Sequence, residues 1–259
     1  MQLHDKVAIV TGGETGIGRT IAIAFAKEGA HVVIAGLMAE RGQEVVQEVQ
    51  ALGRRAMFVA ANVTVGAQVA AAAEKTLAAF GTIDILVNNA GVQHISPIVD
   101  LSEDDWDRVV DVHLKGAFLW TKAVLPAMIA KKSGRIITIS SAHGKVASAF
   151  KAPYVAAKHG VIGFTKVVAL ETALDNITAN CICPAYVWTA LVQKQVKDQA
   201  RIHGISEAEV TEKVFLKETA QKRFIEEGEV AGMAVYLSSD SAKGITGQAL
   251  SLDGGWVMQ

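Results

Sequence analysis

The chain has 259 residues, enough for one large domain or two small ones with a sizeable core. Half of the residues are hydrophobic (51%) and a fifth are charged (20%), which excludes long-range disorder. Lys plus Arg number 25 against 26 for Asp plus Glu, a balance that argues against a nucleic-acid partner.

Short apolar runs alternate with longer helical patterns from the start. Strand Val7–Val10 leads to helix Ile17–Glu28, strand His31–Ala35 to helix Arg41–Leu52, and strand Ala56–Ala60 to helix Ala67–Phe80. Then come strand Ile83–Val87, a long helix Glu103–Lys131, strand Arg135–Ile139, helix Tyr154–Leu174, strand Thr178–Cys183, helix Glu229–Leu237 and strand Ala249–Leu252. Val- and Ile-rich runs bounded by Gly, Asn or Ser are how buried parallel strands read. The expectation is a single Rossmann-type domain over residues 1–259, α/β, with about seven parallel strands doubly wound by helices. Residues 188–224 break the rhythm and read as one or two amphipathic helices with Gly204 and Ser206 between them. Placed between the last two strands, they are expected to form a helical substrate lid on the sheet's carboxyl edge; a solvated surface pair is the blander alternative.

No apolar run reaches the roughly 18 residues of a membrane span. Met1–Val10 reads as a charged lead into a strand, not as a signal peptide. Cys181 and Cys183 stand too close in sequence for an ordinary bridge, and two thiols make no tetrahedral metal site. No metal is expected, and a reducing, cytoplasmic setting fits.

The first strand runs into Thr11-Gly12-Gly13-Glu14-Thr15-Gly16-Ile17-Gly18 and then a helix. Glycines there let the backbone turn tightly beside a ligand, and the helix N-terminus offers N–H groups and a positive dipole end to a pyrophosphate. A glycine-rich turn alone is a weak signal; its position between first strand and first helix strengthens it. Its spacing differs from G-x-G-x-x-G and resembles that of the short-chain dehydrogenase/reductase family. Asn88-Asn89-Ala90-Gly91 follows the fourth strand, Ser141 ends the fifth, and Tyr154-x-x-x-Lys158 follows that serine, all as in this family. The resemblance covers the whole chain. It implies that Thr11, Gly12, Thr15, Gly16, Ile17, Gly18, Asn62, Val63, Asn89, Ala90, Gly91, Tyr154, Lys158, Pro184, Val187 and Thr189 hold a nicotinamide dinucleotide. It also implies a homotetramer built through the two longest helices.

Hydride transfer to or from a carbonyl carbon needs a proton donor or acceptor at the oxygen. Tyr154 suits that task if a cation lowers its pKa, and Lys158 lies on the same helical face one turn on. Ser141 would hydrogen-bond the substrate oxygen. Without that serine and the glycine turn, the pair would read as a buried tyrosine beside a snorkelling lysine.

Within the family, Gln93, Ser141-Ala142-His143-Gly144, Lys151, Gln195 and Asp253-Gly254-Gly255-Trp256 look like those of D-3-hydroxybutyrate dehydrogenases. That likeness implies a substrate carboxylate surrounded by Gln93, His143, Lys151 and Gln195, with Trp256 bordering the pocket. A lysine charge with histidine and amide donors suits a carboxylate leaving water. Trp256 fits either an apolar pocket wall or a C-terminal packing anchor.

Several residues depart from these patterns. His113 takes the place of a helix asparagine that helps hold a relay water; it either serves that relay or is satisfied within the helix pack. The turn after the sixth strand is Pro184-Ala185 where Pro-Gly is usual. Tyr186 replaces a substrate-facing tryptophan, and Trp188 and Ala190 differ nearby. Gly36 ends the second strand where NAD enzymes often carry an acid, and Gly13, Thr15, Leu37 and Met38 offer no cation for an NADP phosphate. NAD is favoured over NADP because hydroxybutyrate dehydrogenases often lack that acid. The leading expectation is an NAD-dependent enzyme interconverting (R)-3-hydroxybutyrate and acetoacetate. A broader keto ester or ketone reductase and a non-catalytic NAD(H)-sensing scaffold are the alternatives.

Overall fold

The computed structural model describes residues 1–258. Seven strands form one parallel sheet: β1 (Val7–Thr11), β2 (His31–Gly36), β3 (Ala56–Ala60), β4 (Ile85–Asn88), β5 (Gly134–Ile139), β6 (Ile177–Pro184) and β7 (Ala249–Leu252), in the order β3-β2-β1-β4-β5-β6-β7. Parallel strands need crossovers, and helices supply them: α1 (Gly16–Lys27), α2 (Ala39–Ala51), α3 (Gly66–Phe80), α4 (Glu103–Val110), α5 (Gly116–Ala130) and α6 (Ala152–Thr172). After β6 come α7 (Ala190–Gln193), α8 (Val196–His203), α9 (Glu207–Val210) and α10 (Glu227–Ser238).

Helices cover both faces, so β1, β4, β5 and β6 are buried along their whole length. One core packs Ile21, Phe25 and Val45 with Val230 and Leu237 against one face. The other packs Val69, Trp120, Val124 and Val168 against the opposite face. The strand order reverses between β1 and β4. There the crossovers diverge and leave a crevice at the carboxyl ends of the strands.

Two local features differ from the sequence expectation. The long helix Glu103–Lys131 is broken by a π-helical turn, Asp111–Lys115. The wide turn carries His113 inward, where its Nε2 lies 2.8 Å from the Val92 carbonyl oxygen. Ala185 keeps an ordinary backbone without positive φ, so the turn after β6 needs no glycine.

The excursion after β6 leaves and returns at one point. Val187 bridges Ile225, and the Ile225 N–H donates to the Tyr186 carbonyl at 3.0 Å. Between them α7, α8 and α9 enclose a small core of Tyr186, Val192, Ala200, Val210 and Phe215. Cys181 and Cys183 are buried, unpaired thiols on β6; the Cys181 Sγ lies 3.2 Å from Thr165 Oγ1 of α6. No helix among the described residues is long and apolar enough to cross a membrane.

Candidate active site

A cleft of about 490 Å³ opens at the carboxyl ends of the strands. Its floor is the β1–α1 turn. Gly12 takes a positive φ of 61°, and a Cβ at Gly18 would overlap the Gly12 carbonyl and the Asn89 side chain. Thr11 Oγ1 accepts from the N–H groups of Asn89 and Ala90 at 2.9 and 3.0 Å, pinning the β4 turn to β1. Asn89 Nδ2 donates to the carbonyl oxygens of Thr11 and Gly12 at 2.9 and 3.1 Å. Thr15 stands at the N-cap of α1, but its side chain caps no N–H, which leaves the first-turn amides available to a ligand. This tight turn with an uncapped helix start fits the pyrophosphate of a dinucleotide.

Deeper in the cleft, Ser141, Tyr154 and Lys158 converge from the end of β5 and the first turns of α6. Ser141 Oγ accepts from the His143 N–H at 3.2 Å and lies 3.4 Å from the Pro184 carbonyl oxygen. Lys158 Nζ donates to the Ile139 carbonyl at 2.6 Å and lies 5.4 Å from the centre of the Tyr154 ring. Burial pushes the Tyr154 phenol up to about 12, against the opposing pull of Ser141, and brings Lys158 down to about 8. The expected lowering of the tyrosine by Lys158 is therefore not what this structure has. One N–H of the ammonium goes to Ile139, and burial outweighs the other influences on the phenol. A protonated phenol beside a serine hydroxyl is a proton donor at neutral pH.

His113 is both satisfied in the helix pack and part of the cleft wall. Its Nε2 meets the Val92 carbonyl and N–H at 2.8 and 3.2 Å, and its ring packs edge-on against Tyr154 at 5.2 Å. Burial, reinforced by Lys158, holds it well below its usual pKa and therefore neutral.

The far end of the cleft holds Gln93, His143, Lys151, Tyr186 and Gln195. Lys151 is only 1% exposed; its Nζ donates to the Tyr186 hydroxyl at 2.7 Å and sits 4.7 Å from that ring's centre. No carboxylate pairs with it among the described residues, and burial brings its pKa down to about 7. His143 Nε2 is buried without a hydrogen-bond partner, and burial keeps this ring neutral too. Gln93 accepts the His94 N–H at 2.9 Å and keeps its amide NH₂ for a ligand. Gln195 does the reverse. One N–H of its Nε2 donates to the Leu191 carbonyl at 3.0 Å, and its Oε1 is buried without a partner.

Three expected contact residues stand behind the wall rather than in it. Thr11 and Gly18 lie beneath the turn they shape. Trp256 stacks on Tyr186 at 5.6 Å and meets His143 edge-on at 5.0 Å, backing the pocket as a packing anchor. The others reach the cleft: Gly12, Thr15, Gly16, Ile17, Asn62, Val63, Asn89, Ala90, Gly91, Pro184, Val187 and Thr189 line it. Glu14 is a cleft residue beyond those that the sequence pointed to. This side chain is 4% exposed, lines the cleft beside Gly36, and its Oε1 accepts from the N–H groups of Leu37 and Met38 at 2.7 and 3.2 Å. The signal was an acid inside a glycine turn together with a glycine at the end of β2.

Comparison with known proteins agrees with this geometry. The family model described as short chain dehydrogenase matches residues 6–200. The chain is 46% identical over 256 residues to a D-beta-hydroxybutyrate dehydrogenase of Rhizobium meliloti, covering 98% of this chain and 99% of the relative. It is 42% identical over 259 residues to one of Cupriavidus necator, covering 99% and 100%. A 3-oxoacyl-(acyl-carrier-protein) reductase of Thermotoga maritima is 35% identical over 258 residues, with 100% of each chain covered. With the glycine turn, the serine, tyrosine and lysine in one cleft and a match of this extent, the chain belongs to the short-chain dehydrogenases, oxidoreductases that work with a nicotinamide cofactor.

Proposed function

We propose that this enzyme interconverts (R)-3-hydroxybutyrate and acetoacetate with NAD. The observation that carries the substrate class is Lys151, a buried ammonium with no acidic partner at the end of a catalytic cleft. A buried cation without a counter-charge is costly, and a substrate carboxylate would relieve that cost. His143 Nε2 and the Gln93 amide add donors to the same wall. Two relatives named for hydroxybutyrate support the choice.

In this reading Gly12, Thr15–Ile17 and Asn89–Gly91 hold the dinucleotide. The chemistry that a bound nicotinamide supplies is hydride exchange with the carbonyl carbon. In reduction, Tyr154 gives its phenolic proton to the ketone oxygen; in oxidation, its phenolate takes the proton from the alcohol. Ser141 orients that oxygen by hydrogen bonding, and Lys158 holds the ribose side of the dinucleotide. Residues 188–224, which bring Leu191, Val192 and Gln195 to the cleft, act as a substrate lid. Exposed Phe118, Val167, Leu170 and Leu174 on α5, α6 and the turn that follows support self-association into a tetramer, which light scattering tests. The two reduced thiols suit a cytoplasmic setting.

The apolar edge formed by Leu191 and Val192, together with Tyr186, favours the second reading, a broader ketone or keto ester reductase. One assay separates the readings: reduced-cofactor absorbance with D- and L-3-hydroxybutyrate, each with NAD and NADP, beside a neutral keto ester in reverse. Rapid turnover of the D acid with NAD alone is expected. Turnover only of the neutral keto ester would sink the hydroxybutyrate assignment. Cofactor binding with no turnover of any carbonyl would revive the sensing scaffold.

A further inference from the structure

The end of β2 lacks its own carboxylate because Gly36 stands there, yet the site does not lack one. Glu14 reaches it from the glycine turn between β1 and α1. Its Oε1 caps the first two N–H groups beyond β2, at 2.7 Å from Leu37 and 3.2 Å from Met38. A Cβ at Gly36 would fall inside the Glu14 carboxyl group, so this placement is possible only because residue 36 is glycine. Glu14, Gly36, Leu37 and Met38 line one end of the cleft together with Ala61 and Asn62.

We propose that Glu14 is the residue that selects NAD over NADP, a carboxylate delivered from the phosphate-binding turn to the place above the end of β2. The inference rests on the dinucleotide reading above and adds to it. Among the described residues no hydrogen bond occupies Glu14 Oε2, which leaves an acceptor for the two hydroxyl donors of an adenosine ribose. A 2′-phosphate would meet the reverse. It would face a buried negative charge, and the Leu37 and Met38 amides that could receive it are already taken. No lysine or arginine lines this end of the cleft: Arg19 is held by Glu48 at 2.5 Å, and Arg41 stands outside the lining. Glu14 and Gly36 thus work as a pair, the small residue making room for the large one.

The test is direct binding without substrate, by quenching of tryptophan fluorescence or by calorimetry, with NADH and NADPH as probes. The parent protein is expected to prefer NADH by roughly 100-fold or more. Glu14→Gln keeps the shape and removes the charge; Glu14→Ala removes both. Each is expected to narrow the preference by about tenfold or more, chiefly through tighter NADPH binding. Gly36→Ala, which evicts the carboxylate without touching Glu14 chemically, is expected to narrow it in the same direction. The double variant Glu14→Ala/Gly36→Asp is expected to regain the preference for NADH. Unchanged preference in both Glu14 variants, with NADH still bound, would overturn the role of Glu14 while leaving the dehydrogenase reading intact. A parent protein that binds neither probe would overturn both.

Discussion

Lys151 and Tyr186 are joined by a 2.7 Å hydrogen bond from the ammonium to the phenol oxygen, and both side chains are buried. Burial drives the two groups in opposite directions, the lysine down to about 7 and the tyrosine well above its usual value. The pair is a cation held by a neutral hydroxyl, which leaves its charge for something that enters the cleft.

Replacing Lys151 with Met should therefore raise KM for 3-hydroxybutyrate by roughly 10- to 100-fold, the worth of a charged hydrogen bond. KM for a neutral ketone should barely move. In the parent enzyme KM for the acid should rise as pH climbs through about 7, where free Lys151 loses its proton. Steady-state kinetics across that range check both; equal effects on acid and ketone would remove Lys151 from carboxylate recognition.

Tyr154→Phe should lower turnover by roughly 10²- to 10⁴-fold with cofactor affinity retained. Because burial pushes the phenol up to about 12, ketone reduction should be insensitive to pH near neutrality. Alcohol oxidation needs the phenolate and should climb with pH across the same range. An oxidation rate that is flat from neutral to alkaline pH would contradict this assignment.

His113 and His143 are held neutral by burial, with pKa values well below the ordinary histidine range. The unfolded chain takes up protons on them near the usual value of about 6.5, and the folded chain does not. Their contribution to stability is complete above that pH and falls as pH drops below it. Melting curves between about pH 5 and pH 8 should show the loss, and His113→Asn should reduce the slope. His113→Ala should also cost roughly 1–3 kcal/mol at neutral pH, since Val92 loses its buried partner.

Gly18→Ala should abolish dinucleotide binding measured by calorimetry, because the added methyl overlaps the Gly12 carbonyl and Asn89. Gly232→Ala is the control. Gly232 lies within α10 with open space where a Cβ would go, and the change should stabilise the fold by up to about 1 kcal/mol.

Where local chemistry decides, the sequence was legible. All seven strands lie where apolar runs flanked by breakers placed them, and Ser141, Tyr154 and Lys158 line one cleft, as the family resemblance implied. Where distant segments decide, it was not. At the π turn Asp111–Lys115, His113 reaches Val92, a pairing that helical periodicity does not encode. Glu14 is not legible because its partners, Leu37 and Met38, lie 23 and 24 residues away beyond the end of β2. Gln195 orients by its bond to Leu191, and Trp256 by stacking on Tyr186; neither choice is visible in residue type.

Cys181 and Cys183 lie on the strand packed against α6, the helix that carries Tyr154 and Lys158, and the chain has no other thiol. Their seclusion makes them a clock built into the molecule. A small thiol reagent can reach them only when the structure around β6 opens, so its rate of modification counts those openings. Dinucleotide should slow the count in proportion to its occupancy, and any variant that loosens α6 should quicken it.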